Sequence, residues 1–198
     1  MEEPPQRDQA DEIVDYWCRE HAEVDLVTKT LAIRLRRAAH HFERELRREL
    51  AAHDTDMWES EVLLSLRRSD GHSRSAGALV KESQVTSGAI TNRVARLEQR
   101  GWVRRDVDPS DRRQVLVTLT KQGLLRADRL LAIKTETEQR LFGPVDRDTL
   151  ARMSADLRTL LLSLEGPAAA PREEAAPTPP RRRRNTNPRP KPKSPVRS

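Results

Sequence analysis

The stretch Asp106-Val107-Asp108-Pro109-Ser110-Asp111-Arg112-Arg113-Gln114-Val115-Leu116-Val117-Thr118-Leu119-Thr120 decides how this chain is read. Just before the turn, Val103 to Val107 is a short segment with Val at both ends. After it, Val115, Val117 and Leu119 alternate with Leu116 and Thr118, which predicts a largely buried strand. Asp108, Pro109, Ser110 and Asp111 between them break any helix and favour a turn. A hairpin whose turn carries Arg112 and Arg113 is a wing suited to a polyanion. Upstream, Ser87 to Arg100 repeats its apolar residues at Ile90, Val94 and Leu97, the stripe of an amphipathic helix, and stops at Gly101. A helix followed by a basic wing predicts a mainly α fold with a small β-wing, a winged helix-turn-helix.

Working outward, residues 1–10 are polar, contain Pro4 and Pro5, and read as a flexible start. Asp11 to Glu20 reads as a short helix with Ile13, Val14 and Trp17 on one side. A long helix follows from Leu26 to Ala51, with Leu31, Leu35, Ala38, Phe42, Leu46 and Leu50 in a stripe. It is longer than one small core needs. Asp56 with Glu59 forms a capping-box pattern opening a helix that carries Trp58, Val62 and Leu66, and Ser69-Asp70-Gly71 ends it. Ser75 to Lys81 is a further short helix, and Glu82 to Thr86 is the turn into the helix at Ser87. Two more helices span Lys121 to Leu141 and Asp146 to Leu164. The last exposes more apolar surface than a lone helix tolerates, through Leu150, Met153, Leu157, Leu160, Leu161 and Leu164. The expected organisation is N-terminal helices over 11–53, the winged helix-turn-helix over 54–120, C-terminal dimerisation helices over 121–165 and a basic, disordered tail over 166–198.

Charge divides along the same lines. Of the 198 residues, 34% are charged and 3% aromatic. Residues 167–198 hold nine of the 13 prolines, and nine Arg or Lys against two Glu, a net of +7. The whole chain is +6, so the remainder carries about −1. The tail has too little apolar surface to offset ordering entropy. Its arginines suit either sequence-independent DNA affinity or a solvated end. For the body, net charge says nothing about nucleic acid, so local contacts must carry recognition.

On a helical wheel with Ile90 toward the core, Gly88, Asn92, Ala95, Arg96 and Gln99 face away. Gly88 and Ala89 are small enough to let the helix enter a major groove, and Asn92 and Arg96 can reach base edges or phosphates. Ser87 either caps the helix or holds a phosphate at its free N–H groups. Arg112 and Arg113 can reach a minor groove, with Asp111 orienting one of them by a charge-assisted hydrogen bond. Arg93 lies about 60° from the core direction and is expected to point toward the rest of the protein.

Asp111, Arg113, Leu119 and Thr120 fit a D-x-R-(five residues)-L-T signature, preceded by Thr91-Asn92-Arg93 and Leu97-Glu98. In these residues the chain resembles MarR-type transcriptional regulators over roughly residues 10 to 165. The resemblance implies a homodimer joined through its terminal helices, palindromic double-stranded DNA as partner, and repression released by a ligand. It puts Arg113 at the groove-contacting position with Asp111 as its partner. Within that family the chain is similar to the urate-responsive and TamR-like regulators, through its extra N-terminal helix with Trp and its Thr86-Ser87-Gly88-Ala89-Ile90-Thr91-Asn92-Arg93 helix. By position, this resemblance implies a site for a small anionic ligand on Trp17, Glu61, Arg93 and Arg105. The chain departs from that subgroup at Glu61, where an Asp is usual, and at Ser60, where an aromatic is usual. Two guanidinium groups suit an anion and an indole suits a flat ring, while surface ion pairs and core packing are the plainer roles for the same residues.

Other classes find less in the residues. Cys18, the single cysteine, excludes an intramolecular disulfide and suits a reducing cytoplasm. As a redox switch it has one tyrosine nearby, Tyr16, and one adjacent cation, Arg19. The five histidines show no metal-ligand spacing, and His40 and His41 are expected to point to different sides of a helix. There is no phosphate loop or nucleophile elbow, so neither an enzyme nor a cofactor is expected. No apolar run reaches membrane-spanning length, and the start of the chain lacks a signal-peptide pattern, which together predict a cytoplasmic protein without membrane contact.

Overall fold

The computed structural model describes residues 6–21, 23–83, 85–108 and 111–166. These fall into two compact units that divide after Leu150. The expected looseness of residues 1–5 and the disordered tail over 167–198 lie outside the described residues, as do Pro109 and Ser110 of the wing turn.

The first unit begins with α1 (Gln9–Glu20), α2 (Leu26–Ala52) and α3 (Met57–Arg67). The helix-turn-helix pair follows as α4 (Ala76–Ser83) and α5 (Ser87–Gln99), and the wing as β2 (Val103–Val107) and β3 (Val115–Leu119). A long helix, α6 (Lys121–Phe142), returns across the unit, and α7 (Arg147–Glu165) leads out of it. The start of α1 is two residues earlier than the apolar pattern suggests, because the Asp8 carboxylate caps it and Ala10 is buried. Helix α4 continues to Ser83, through two residues expected in the turn.

One strand was not expected. Ser73–Ser75 forms β1, which pairs antiparallel with β3, so the sheet has three strands in the order β1-β3-β2. In the wing itself, Val103 pairs with Leu119 and Val107 with Val115. Val117 and Leu119 are buried, whereas Val115 is 41% exposed and Val107 61% exposed. The expectation of a largely buried β3 therefore holds only at its inner end, because the outer end of the hairpin extends past the core.

That core joins Leu50 of α2, Val62, Leu63 and Leu66 of α3, Leu79 of α4, and Ile90, Val94 and Leu97 of α5 to Val103 and Val117 of the sheet and Leu130 of α6. The long α2 contributes only its end: Leu46 and Leu50 are buried, while Leu31 and Leu35 of the same stripe are exposed. Helix α7, taken by itself, buries no residue and exposes Met153, Leu157, Leu161 and Leu164. Apolar helix faces of this kind are suited to a partner surface.

A polar knot fixes the core against α5 and α6. Glu59, fully buried, accepts from Nη1 of Arg100 with both carboxylate oxygens at 3.1 Å. Arg100 Nη2 donates to the Asp54 carbonyl at 2.9 Å and to the Asp54 carboxylate. Arg126 of α6 donates to the His53 carbonyl and Thr55 hydroxyl. Trp102 lies against both guanidinium groups, 4.1 Å from that of Arg100 and 5.0 Å from that of Arg126. Burial, and next the charge of Arg100, pull the Arg126 pKa below the usual arginine value. A buried carboxylate needs this many donors, since leaving it unpaired costs several kcal/mol, about 3–5.

Candidate nucleic-acid interface

Helix α5 is held by its apolar stripe, with Ile90, Val94 and Leu97 buried. The opposite face is open: Ser87, Gly88, Asn92, Arg96 and Gln99 are exposed. The helix is capped by Thr86, not by Ser87 as one alternative had it. Thr86 Oγ1 accepts from the Ala89 N–H at 3.2 Å, and its extended backbone suits an N-cap. Ser87 is left in the first turn, where its carbonyl accepts from Thr91 Oγ1 at 3.0 Å. A Cβ added at Gly88 would meet nothing within 4 Å, so the protein's own packing does not require glycine there.

Arg96 and Arg93 share a platform that sequence reasoning did not find. The Trp58 indole of α3 lies against both, at 5.0 Å from the Arg96 guanidinium and 5.4 Å from that of Arg93. Trp58 Nε1 donates to Asp56 at 3.1 Å, and Arg96 Nη2 reaches the same carboxylate oxygen at 3.4 Å. Arg93 is half-buried and does point inward, toward α3, as its place on the wheel implies. The signal for the platform was present in Asp56 and Trp58, but their closeness to α5 depends on packing across about forty residues.

At the wing tip, Arg112 and Arg113 are exposed, and neither guanidinium has a partner among the described residues. Asp111 does not orient a guanidinium. Its carboxylate accepts from the Arg113 backbone N–H at 3.0 Å and from Gln114 Nε2 at 3.1 Å, so it shapes the turn. Further back, the cations are neutralised: Arg104 pairs with Asp106, and Arg105 Nε donates to Glu98 of α5 at 2.8 Å. The hydrogen bond from Arg105 holds the Glu98 carboxyl below its usual pKa. Through this pair the base of the wing is fastened to the end of α5.

The four residues implied as a ligand site are not brought together within one chain. Trp17 of α1 meets Tyr16, His21 and Lys29, Arg93 meets Trp58, and Arg105 meets Glu98. Glu61 is exposed on α3, and among the described residues no hydrogen bond, ion pair or ring contact joins any two of the four. Cys18 is exposed on α1. His40 and His41 both border one cleft between α1 and α2, with ring centroids 6.1 Å apart. No group of histidines, cysteines and carboxylates among the described residues could hold a metal ion. No helix among them is long and apolar enough to cross a membrane.

An open polar recognition-type helix, a short helix before it and a basic hairpin after it define a winged helix-turn-helix protein. Residues 57–115, from the start of α3 to the start of β3, match the family model described as MarR family. It is 26% identical over 145 residues to the HTH-type transcriptional regulator PecS of Dickeya dadantii, covering 73% of this chain and 87% of that one. Among solved structures it is similar to Sco3205, a MarR family transcriptional regulator from Streptomyces coelicolor in complex with DNA. The TM-score there is 0.62 and the identity 25%, over 71% of this chain and 93% of that one. It also resembles BpsR of Bordetella bronchiseptica, whose structure concerns regulation of DNA binding by 6-hydroxynicotinic acid. That match has a TM-score of 0.57 and 25% identity, over 65% of this chain and 91% of that one.

Proposed function

We propose that this chain is a transcriptional regulator, a homodimer that binds a palindromic operator and represses until a small anionic effector releases it. The observation that carries the DNA reading is the pair of guanidinium groups of Arg112 and Arg113, without a partner among the described residues, on a hairpin fastened to α5 by Glu98 and Arg105. Cations with no internal partner contribute nothing to the fold and are free for phosphates. Ser87, Gly88, Asn92 and Arg96 read the major groove, and Arg112 and Arg113, on the turn shaped by Asp111, take the minor groove or its edges. The exposed apolar faces of α2 and α7 supply the surface for a second copy, and two-fold symmetry then sets two recognition helices about 34 Å apart.

The effector reading draws on Trp17, Glu61, Arg93 and Arg105. Arg93 lies on α5 and Arg105 on β2, bonded to Glu98 of α5, so an anion that drew either from its present partner would disturb the helix or the wing directly. Selection of duplexes from a random pool tests the whole reading. An inverted repeat bound by two chains, released on adding urate, citrate or 6-hydroxynicotinate, is the expected result. Binding without sequence preference overturns the operator assignment, and retention of DNA with all three anions overturns effector release.

Asp56 is expected to compete with DNA for Arg96. Asp56→Asn keeps a capping side chain and an acceptor for Trp58 but removes the charge that holds Arg96. The ion pair is exposed, so its loss is worth no more than about 1 kcal/mol. Operator affinity should then rise by about two- to five-fold in fluorescence anisotropy, with an unchanged melting temperature. A fall in affinity would show that Asp56 positions Arg96 instead of restraining it.

A further inference from the structure

The 27-residue α2 ends in a closed turn whose carbonyls are held by two arginines from elsewhere in the chain. Asp54 sits at φ +50°, its N–H donating to the Ala51 carbonyl at 3.0 Å, while the Thr55 N–H donates to the Leu50 carbonyl at 3.1 Å. This is the left-handed stop that Gly or Asn usually supplies. It leaves the His53 and Asp54 carbonyls at the negative end of the helix dipole, and the last turn of α2 has no basic residue of its own. Arg100 and Arg126 take that place. Arg100 Nη2 donates to the Asp54 carbonyl at 2.9 Å, and Arg126 Nη2 donates to the His53 carbonyl and, at 3.4 Å, to that of Asp54.

Arg100 is also the C-cap residue of α5. Its other terminal nitrogen, Nη1, reaches both oxygens of the buried Glu59 on α3 at 3.1 Å. One planar group therefore ties the end of α5 to the end of α2 and the start of α3. The apolar stripe of α5 sets how deep the helix lies, because hydrophobic contact is non-directional, whereas a rigid fork of hydrogen bonds sets its direction. Direction matters most at the far end. The 13 residues of α5 span about 20 Å, so a tilt of about 10° at Arg100 carries Ser87 about 3 Å, close to the rise of one base pair.

We propose that Arg100 is a positioning residue that sets the half-site spacing an operator must have. It holds α5 in one direction against α2, whose exposed apolar face is assigned above to the second copy, and so fixes the separation and tilt of the two recognition helices. This assignment rests on the homodimer and operator reading. The tie runs through the Asp54 carbonyl; the Asp54 side chain, 92% exposed, is dispensable to it.

The test titrates the full chain with inverted repeats that differ only in half-site spacing, by one and two base pairs in each direction, using fluorescence anisotropy. Arg100→Lys keeps a charge beside Glu59 but cannot span Glu59 and the Asp54 carbonyl at once. The parent is expected to favour one spacing by about ten-fold or more over its neighbours, and Arg100→Lys by no more than about three-fold. Asp54→Asn should keep the parent's preference. Circular dichroism and melting verify the fold. Arg126→Lys loosens the same carbonyls from the α6 side, and the same loss of preference is expected of it if Arg100→Lys does not fold. A second measurement needs no DNA: a nitroxide on Asn92→Cys, in a Cys18→Ser background, reports the distance between two copies by pulsed electron resonance. One narrow distance is expected in that background, and a distribution at least about twice as wide once Arg100→Lys is added.

A spacing preference and a distance distribution unchanged by Arg100→Lys overturn the proposal and leave the operator reading intact, even if the melting temperature falls, since the tie is then structural only. A parent that binds inverted repeats equally at every spacing does the same. Loss of preference in Asp54→Asn overturns the carbonyl tie. A parent that binds no inverted repeat overturns the operator reading and this proposal with it.

Discussion

Replacing Arg113 by alanine should weaken operator binding by about ten-fold at physiological salt and flatten the dependence of log affinity on log salt by about 0.9, the slope for one lost phosphate contact. The Arg112→Ala/Arg113→Ala variant should double the change in slope. Both side chains are exposed and lack an internal partner among the described residues, so neither change should move the melting temperature. The charge lost is small against the chain's net of +6, and an effect through long-range attraction alone would be slight. A gel shift over a salt series decides the matter: affinity and slope equal to the parent's would take the wing off the DNA.

Gly123→Ala should be the most damaging single methyl group in the fold. Gly123 is buried in the first turn of α6, and a Cβ there would fall inside the contact radius of the Trp102 carbonyl oxygen, 2.8 Å from its carbon and 3.2 Å from Leu119 Cδ2. The obstacle is backbone, which cannot turn aside as a side chain can. The same Trp102 carbonyl accepts from the Thr120 N–H at 3.0 Å, and Thr120 Oγ1 caps α6 by accepting from the Gly123 N–H at 3.0 Å. Relieving the overlap therefore means parting the start of α6 from the base of the wing. A loss of about 3 kcal/mol is expected, at the upper end of overpacking costs, with a fall in melting temperature of roughly 10 °C. The same change at Gly88, which faces open space, should leave stability at or above the parent's, because alanine is the better helix former. Calorimetric melts of the two variants side by side test both statements; equal melting temperatures would mean that the α6–wing junction yields.

The helices and the wing were legible because each carries a period: three and four in α2 and α5, two in β3. Strand β1 was not, since Ser73-Arg74-Ser75 has no apolar alternation and is a strand only by pairing with β3. At the entry to α5, Thr86 and Ser87 are adjacent and either can cap, so sequence alone left the role open and backbone geometry assigns it to Thr86. Glu59 was readable as a capping partner of Asp56, and the structure keeps that bond at 2.9 Å. Its bond to Arg100, 41 residues away, could not be read, because nothing local marks two residues that meet only when α3 and α5 pack. The inward lean of Arg93 followed from angle alone. The Trp17, Glu61, Arg93 and Arg105 set came from resemblance, and within one chain its members keep separate partners.

The hairpin's outermost pair, Val107 and Val115, lies beyond the core, while its innermost pair, Val103 and Leu119, is buried. Stability thus declines along the ladder from base to tip, and amide exchange should be fastest at the tip. In the proposed complex this gradient sets how forgiving each part of an operator is. Base pairs beneath α5 face a helix set in the core and should tolerate little variation. Those beneath the wing face a hairpin that can follow a wider or narrower groove, so operators in different promoters should diverge at their flanks before their half-site centres.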